Sequence, residues 1–148
     1  MQFFEDLEVG LAERFGEQAV TREEVIAFAQ RYDPQPFHLD DAAAAETYFG
    51  RIAASGWHTA AMTMAMIVEK QHADGHQGMG SPGIEDLRFV RPVYPGDTLT
   101  CERVVLDKRL SASRPGLGLF KVQVRTFNQH GEQVLGYVAN AFIRSRAD

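Results

Sequence analysis

The sequence has a single cysteine, Cys101, and no apolar run that approaches the length of a membrane span. One cysteine excludes a disulfide within the chain, and its place in an alternating strand-like run indicates a buried side chain rather than a nucleophile. A membrane span needs about 18 consecutive apolar residues, so we predict a soluble chain with no membrane partner. The opening residues 1–6 lack a signal-peptide pattern, so we expect a cytoplasmic location.

Basic residues are also scarce: 15 Lys and Arg stand against 20 Asp and Glu, for a net charge of −5. Nucleic acid binding needs a concentrated basic surface, so we predict no nucleic acid partner. The sequence has no glycine loop of the kind that cradles phosphates and no thiolate cluster. His72 and His76 have the spacing of a metal pair, but Gly75 between them and the lack of a third ligand nearby indicate loop residues.

With 148 residues, 45% of them hydrophobic and 24% charged, the chain fits a single globular domain over residues 1–148. Thr21 and Glu24 have the spacing of a capping box, which predicts a helix to about residue 30. Asp40 or Asp41 caps a short alanine helix to residue 45. Residues 57–71 form the strongest helical stretch and leave almost no polar side, which is typical of a buried helix.

After residue 84 the hydrophobic period changes to two, which predicts strands over residues 87–90, 99–106, 117–127 and 133–144. A weaker strand signal lies in residues 10–20. One buried helix followed by an antiparallel sheet with a dry face is packed most economically when the sheet curls around the helix. We therefore predict an α+β hot-dog fold, an antiparallel β-sheet wrapped around a long buried central helix.

The segment over residues 32–38 reads Tyr-Asp-Pro-Gln-Pro-Phe-His. Pro34 and Pro36 fix their own φ and bias the preceding residues away from the α region, so we expect a rigid, non-helical loop. Such a loop can turn the Asp33 carboxylate and the His38 imidazole toward one water molecule that both groups activate. The alternative is an ordinary Asp-Pro turn beside a structural histidine.

Asp33-x-Gln35-Pro36-x-His38, followed by Ser55-Gly56-Trp57-His58, resembles the signature of the MaoC-like dehydratases. This family includes the (R)-specific enoyl-CoA hydratases, whose best-known loop reads Asp-x-Asn-Pro-x-His. Residues 88–98 resemble the family's second recurring stretch, in which strand and turn lie against the acyl site. The resemblance covers about residues 13–144 and implies the same hot-dog fold.

The resemblance implies reversible hydration of a trans-2-enoyl-CoA to an (R)-3-hydroxyacyl-CoA, without a metal or a redox cofactor. In this interpretation Asp33 and His38 activate the water. The backbone N–H of Gly56, at the start of the central helix, binds the thioester oxygen as negative charge collects on it. The alternative for Ser55 and Gly56 is that they only cap the helix.

Gln35 stands where the family pattern has Asn, so its amide is longer by one methylene. The large rings of Phe37, Tyr48 and Trp57 are expected to form an aromatic wall beside the acyl chain. Arg88 is one of several cationic residues that could hold the phosphates of CoA. The residues expected to contact the substrate are Gln35, Phe37, Tyr48, Ser55, Trp57 and Arg88.

A hot-dog unit of this kind usually pairs an edge strand with a second copy, so we expect a homodimer or a higher homo-oligomer. Two other functions remain open. Hot-dog thioesterases also use a carboxylate and a helix-end N–H, although their acid typically lies elsewhere and the central helix here carries only Glu69 near its far end. A non-catalytic acyl-binding or structural subunit is the other alternative.

Overall fold

The structure is a computed structural model that describes residues 1–147. In these residues one strand comes first, three α-helices separated by turns and loops follow it, and the other four strands come last. Within the described residues, every helix is too short or too polar to cross a lipid bilayer. The elements in chain order are β1 (Ala12–Ala19), α1 (Arg22–Tyr32), α2 (Asp41–Ala45), α3 (Gly56–Asp74), β2 (Gly83–Phe89), β3 (Thr98–Leu110), β4 (Leu117–Phe127) and β5 (Gln133–Arg144).

The two shorter helices begin where the capping signals predict. The Thr21 hydroxyl accepts a hydrogen bond from the Glu24 N–H at 3.2 Å, and the Asp40 carboxylate accepts one from the Ala43 N–H at 2.9 Å. Each bond satisfies a backbone donor that a helix start leaves unpaired. Helix α1 runs two residues further than predicted and ends at Tyr32, directly before Asp33.

The sheet has five antiparallel strands in the order β1-β3-β4-β5-β2, so β1 and β2 form its edges. The bounds of β4 and β5 agree with the prediction. The turn that joins them is built by Asn128, whose side-chain oxygen accepts from the N–H groups of His130 and Glu132, and by Gly131 with φ +74°.

Helix α3 lies against the concave side of this sheet, which confirms the predicted hot-dog arrangement. Met62, Met66 and Ile67 belong to the hydrophobic core, and the Thr63 hydroxyl is hydrogen-bonded to that of Thr126 in β4 at 2.7 Å. The apolar sequence of α3 suggested a helix that is buried on every side. In the single chain it is not. One side is open, as Trp57 shows with 58% exposure.

The proline segment departs from its prediction in one respect. Gln35 is extended as expected, but Pro36–His38 form one turn of 3₁₀ helix. A proline at the first position of a helical turn loses no hydrogen bond, because that N–H would be unpaired in any case. The segment is therefore a tight turn that begins at Pro36 and carries His38 at its end.

Gly16 allows α3 to approach β1. Its φ is +85°, and a β-carbon there would lie 2.5 Å from the sulfur of Met66. We expect Gly16→Ala to lower the free energy of unfolding by about 2–4 kcal/mol, from backbone strain plus the clash with Met66. Gly10→Ala is the matched control, because Gly10 has φ +87° and nothing within 4 Å.

Denaturant unfolding of both variants separates the two effects, because only Gly16→Ala includes the clash. Equal destabilisation by the two substitutions would show that the clash with Met66 does not contribute to the loss of stability in Gly16→Ala.

Candidate active site

Two segments of the chain meet at the site. Asp33 follows the last residue of α1 and caps that helix, and His38 ends the turn that begins at Pro36. The second segment is residues 52–55, buried throughout, which leads into α3. The Ala54 N–H donates to the Val93 carbonyl at 2.7 Å, which ties this segment to the chain between β2 and β3.

Asp33 is held by three neighbours. The Ser55 hydroxyl donates to Oδ2 at 2.7 Å, and the Gln35 amide donates to Oδ1 at 2.7 Å. Nε2 of His38 lies 3.4 Å from Oδ2. Burial opposes ionisation of Asp33, but the hydrogen bonds from Ser55 and Gln35 and the nearby His38 hold the pKa of its carboxyl below the usual value. Asp33 is therefore a carboxylate at neutral pH.

His38 is buried, and its Nδ1 lies 2.6 Å from the backbone carbonyl of Ala53. A carbonyl only accepts, so Nδ1 carries a proton and donates it to Ala53. In the neutral ring Nε2 then has a free lone pair, and this atom faces Asp33. At 3.4 Å, Nε2 and Oδ2 make no close direct hydrogen bond, and one water molecule can bridge two polar atoms at this separation.

Gly56 is the first residue of α3, and its N–H has no acceptor among the described residues. The Ser55 hydroxyl accepts instead from the next amide, that of Trp57, at 3.2 Å. The free N–H lies at the positive end of a 19-residue helix. A β-carbon at position 56 would lie 2.6 Å from the ring of Phe89, so only glycine fits beneath that ring.

Of the residues expected to contact the substrate, Gln35 and Ser55 bind Asp33 and so orient the acid. Phe37 meets the His38 ring edge-on with a centroid distance of 4.6 Å. Phe49 lies 5.9 Å from the same ring and 5.4 Å from Phe37, so these two rings flank the imidazole.

The other three expected contacts lie on the surface of the single chain. Tyr48 is 82% exposed and packs on Phe49, while Trp57 packs edge-on against Phe89. Arg88 is exposed and ion-paired with Asp86 at 2.9 Å. Tyr48 and Trp57 therefore form no enclosed wall within one chain.

Three contributions escaped the sequence analysis. The carbonyl of Ala53 sets the proton position on His38, and a backbone group gives no sequence signal. Phe49 flanks the imidazole. Its position directly after Tyr48, which was expected at the site, was the sequence feature that could have indicated it. Phe89 covers Gly56, which strand alternation from Arg88 could have indicated.

His58, also within the Ser55–His58 motif, does not join the dyad. Its ring stacks flat on Phe28 at 4.7 Å, and its Nδ1 is buried without a hydrogen-bond partner in the structure. Burial lowers its pKa, against a weaker opposing effect of Glu24. This neutral ring packs α1 against the first turn of α3.

The candidate metal pair is not assembled. His76 Nδ1 is hydrogen-bonded to the side-chain oxygen of Gln2 at 2.8 Å, and His72 is exposed in the last turn of α3. Among residues 1–147, no group of three or more His, Cys, Asp or Glu side chains is placed to hold a metal ion.

A cavity of about 750 Å³ lies away from the dyad, between α3 and the concave face of the sheet. Neither Asp33, His38 nor Gly56 lines it. Its floor is apolar and is formed by side chains of β3, β4 and β5, and its helix side is formed by Met64, Ile67, Gln71 and Asp74.

In a hot-dog fold, the structure brings a carboxylate and an imidazole within 3.4 Å of each other, and Ser55, whose hydroxyl binds that carboxylate, directly precedes the first residue of α3. The comparison with protein families identifies the class of protein. Residues 10–125 match the model described as "MaoC like domain". The chain belongs to the MaoC-like family.

Individual proteins and a solved structure are also similar to this chain. The chain is 33% identical over 110 residues to the uncharacterized protein YdeM of Bacillus subtilis, covering 74% of this chain and 76% of that protein. It is 34% identical over 96 residues to 3-hydroxybutyryl-CoA dehydratase of Methylorubrum extorquens, covering 64% of this chain and 58% of that enzyme. The crystal structure of a MaoC-like dehydratase from Rhodospirillum rubrum superimposes with a TM-score of 0.88 at 38% identity, with both chains fully covered.

We expect Ser55→Ala to raise the pKa of the Asp33 carboxyl, because the hydroxyl that stabilises its charged form is lost. Asp33 stabilises the fold above the ordinary Asp pKa of about 3.9, and this contribution is lost as pH falls through its lower pKa in the folded state. The variant should therefore have a smaller loss of stability on acidification than the wild type.

Carbon-13 NMR titration of the Asp33 carboxyl measures the shift directly. Ser55→Thr is the control, because it keeps the hydroxyl and should keep the pKa low. An unchanged Asp33 pKa in Ser55→Ala would mean that the Ser55 hydrogen bond does not stabilise the carboxylate.

Proposed function

We propose that this protein adds water reversibly to a trans-2-enoyl-CoA and forms the (R)-3-hydroxyacyl-CoA. The observation that carries the proposal is the hydrogen bond from Ser55 to Asp33. Ser55 precedes Gly56, so this bond brings the acid and imidazole to the free amide that starts α3. The name of the Methylorubrum extorquens relative, 3-hydroxybutyryl-CoA dehydratase, supports the same reaction type.

In the proposed mechanism the two members of the dyad have different roles. Asp33, with a lowered pKa and two hydrogen bonds already accepted, orients the water by accepting one of its protons in a hydrogen bond. His38 removes the other proton through the lone pair on Nε2. The water oxygen attacks the β-carbon, and the imidazolium then returns its proton to the α-carbon. Since one group takes and returns the proton, addition occurs on one face.

The amide of Gly56 has its role during the attack. Negative charge moves from the attacking water through the conjugated system to the thioester oxygen, and an N–H placed there before the reaction stabilises that charge. One such donor is worth roughly 3 kcal/mol of barrier. Hydration is redox-neutral and the thioester supplies the activation, so the proposed reaction requires no metal or redox cofactor.

We expect the protein to act as a homodimer joined through β2 and the open side of α3. β2 is an edge strand whose residues are almost all exposed. Together with α3 it leaves a row of large apolar side chains about half exposed, a pattern that marks an interface rather than a free surface. The members of this row are Trp57 and Met64 in α3, Ile84 and Phe89 in β2, and Val90 directly after β2.

The function is tested with crotonyl-CoA by following the loss of enoyl absorbance together with the release of free thiol. Hydration without thiol release is the expected result. Release of thiol would instead identify a thioesterase, and a protein that does neither with enoyl-CoA of any length would contradict the proposal.

We expect Asp33→Asn to lower kcat about 10²- to 10⁴-fold, because the neutral amide can neither orient the water nor stabilise the imidazolium. Asp41→Asn is the matched control: Asp41 is an exposed aspartate in the neighbouring helix, paired with Arg22. A near-normal rate for Asp33→Asn, with circular dichroism unchanged, would remove Asp33 from the mechanism.

The assembly is tested by light scattering after size-exclusion chromatography. We expect a dimer for the wild type and a shift to monomer for Met64→Glu, because the substitution places a charge in the apolar row. Glu69→Lys, at an exposed position of the same helix, is the control. A monomeric wild type at micromolar concentration would contradict this assembly.

A further inference from the structure

Arg51 is an exposed arginine in the connection between α2 and α3, two residues before Ala53. Its guanidinium lies over the ring of Tyr94, with Cζ 3.9 Å from the ring centroid. This contact uses the face of the guanidinium, so its N–H donors remain available around the edge of the plane. Among residues 1–147, no carboxylate forms an ion pair with Arg51.

Other arginines beside the elements that build the site are already engaged. Those paired with a carboxylate are Arg22 with Asp41 at 2.9 Å, Arg88 with Asp86 at 2.9 Å and Arg91 with Glu132 at 3.5 Å. Arg31 lies over the Tyr32 ring at 5.3 Å, but Tyr32 packs on Phe28, which stacks on His58, the histidine outside the dyad. Arg51 differs from all of these because it has no carboxylate and its contacts lead toward His38.

A series of contacts joins Arg51 to the imidazole of the dyad. The Tyr94 hydroxyl donates to the carbonyl of Phe49 at 2.7 Å, and the Phe49 ring lies 5.9 Å from that of His38. With the stacking of Arg51 on Tyr94, these contacts place the guanidinium no more than about 20 Å from the imidazole. The extended pantetheine arm of CoA spans about 16 Å between its sulfur and its first phosphate. A thioester that reacts beside His38 can therefore present that phosphate to Arg51.

We propose that Arg51 binds the first phosphate of the CoA substrate, the one at the end of the pantetheine arm. This inference rests on the proposed function and identifies a residue that holds the carrier rather than the acyl group. A guanidinium offers two parallel N–H donors to two phosphate oxygens, which is a strong and directional contact. The Tyr94 ring holds the guanidinium in one orientation before the substrate arrives, so less side-chain entropy is lost on binding.

The overall charge of the chain makes such a contact necessary. The net charge is −5, so the protein as a whole repels a polyanion such as CoA. A cation at the position of the phosphate offsets this repulsion locally. Because Arg51 is exposed, added salt screens its attraction for the phosphate, and its contribution to affinity should fall as ionic strength rises.

Calorimetry with saturated thioesters tests the proposal without turnover. Butyryl-CoA and butyryl-pantetheine have the same acyl group and arm, but only butyryl-CoA carries phosphates. We expect Arg51→Ala to weaken the binding of butyryl-CoA about 5- to 30-fold, because a charge-assisted contact is lost, and to leave the affinity for butyryl-pantetheine unchanged. Wild-type affinity for butyryl-CoA in this variant would overturn the proposal.

Butyryl-dephospho-CoA identifies which phosphate is bound, because it keeps the first phosphate and lacks the 3′-phosphate. Arg51→Ala should weaken its binding as much as that of butyryl-CoA. A loss of affinity confined to butyryl-CoA would contradict the assignment of Arg51 to the first phosphate.

Arg114→Ala is the matched control, because it removes the same charge from an exposed arginine in the turn between β3 and β4. Tyr94 precedes β3 and Arg114 follows it, so the 13 residues of that strand, roughly 40 Å long, separate the two positions. Arg114→Ala should bind all three ligands like the wild type. Arg51→Lys keeps the charge but loses the planar pair of donors, so it should recover only part of the affinity for butyryl-CoA.

Steady-state hydration separates a binding residue from a structural one. Arg51→Ala should raise the KM for crotonyl-CoA about 5- to 30-fold and leave kcat within about 2-fold, because the phosphate contact is the same before and during the reaction. The kcat/KM for crotonyl-pantetheine should not change. A fall in kcat with both substrates would show that Arg51 acts by holding Phe49 and His38 in place, and would overturn the proposal.

The two proposals fail in different ways. A wild type that hydrates no enoyl thioester, but loses affinity for butyryl-CoA and not for butyryl-pantetheine in Arg51→Ala, would support the phosphate contact and reject the hydratase. A wild type that hydrates crotonyl-CoA, with the same KM in Arg51→Ala, would reject the phosphate contact and leave the hydratase standing. A thermal unfolding scan shows whether each variant is folded.

Discussion

The hydrogen bonds of one hydroxyl group join the two halves of the candidate site. Ser55 Oγ accepts from the N–H of Trp57, which caps α3, and donates to Oδ2 of Asp33 at 2.7 Å. The acid is therefore held at a set position relative to the start of the helix and to the free amide of Gly56. His38 is tied to the same segment through the carbonyl of Ala53. Any movement of residues 53–56 would move the acid, the imidazole and the amide together.

The sheet is what holds that segment in place. Ala54 pairs with Val93, in the connection between β2 and β3, and α3 is bonded to β4 through Thr63 and Thr126. At the far side, Gly16 lets β1 approach Met66 closely. The segment before α3 and the first half of the helix are thus anchored at three separate strands or connections. The loop that carries Asp33 and His38 needs only local turns, because its partner surface is already rigid.

The parts of the structure that follow from local patterning were predictable from sequence. The alternating residues of β4 and the apolar run of β5 predicted both strands, and the capping signals at Thr21 and at Asp40 or Asp41 predicted the starts of two helices. The motif identified Asp33 and His38 as partners because two prolines restrict the backbone between them. The tautomer of His38 was not predictable, since it depends on a backbone carbonyl fifteen residues away.

Contacts between distant elements were also beyond the sequence. Strand alternation places Phe89 on the face opposite Arg88, but nothing local indicates how far its ring reaches over Gly56 or that a cavity opens between α3 and the sheet. Arg88 was expected at the site because its charge suggested a phosphate contact, but in an edge strand Arg88 and its neighbour Phe89 point to opposite faces. Here the residue that shapes the site was the apolar one.

The apolar sequence of α3 shows why hydrophobicity alone overstates burial within one chain. A helix needs apolar residues wherever it leaves water, and that includes the face against its own sheet, the face along a ligand cavity and the face against another subunit. Met62 and Met66 satisfy the first requirement, Met64 and Ile67 line the cavity, and Trp57 lies open beside Phe89. Helix α3 therefore has no polar side, although a single chain buries only some of its sides. A helix whose open side faced water along its whole length would need a polar stripe, and residues 57–68 contain no Asp, Glu, Lys or Arg.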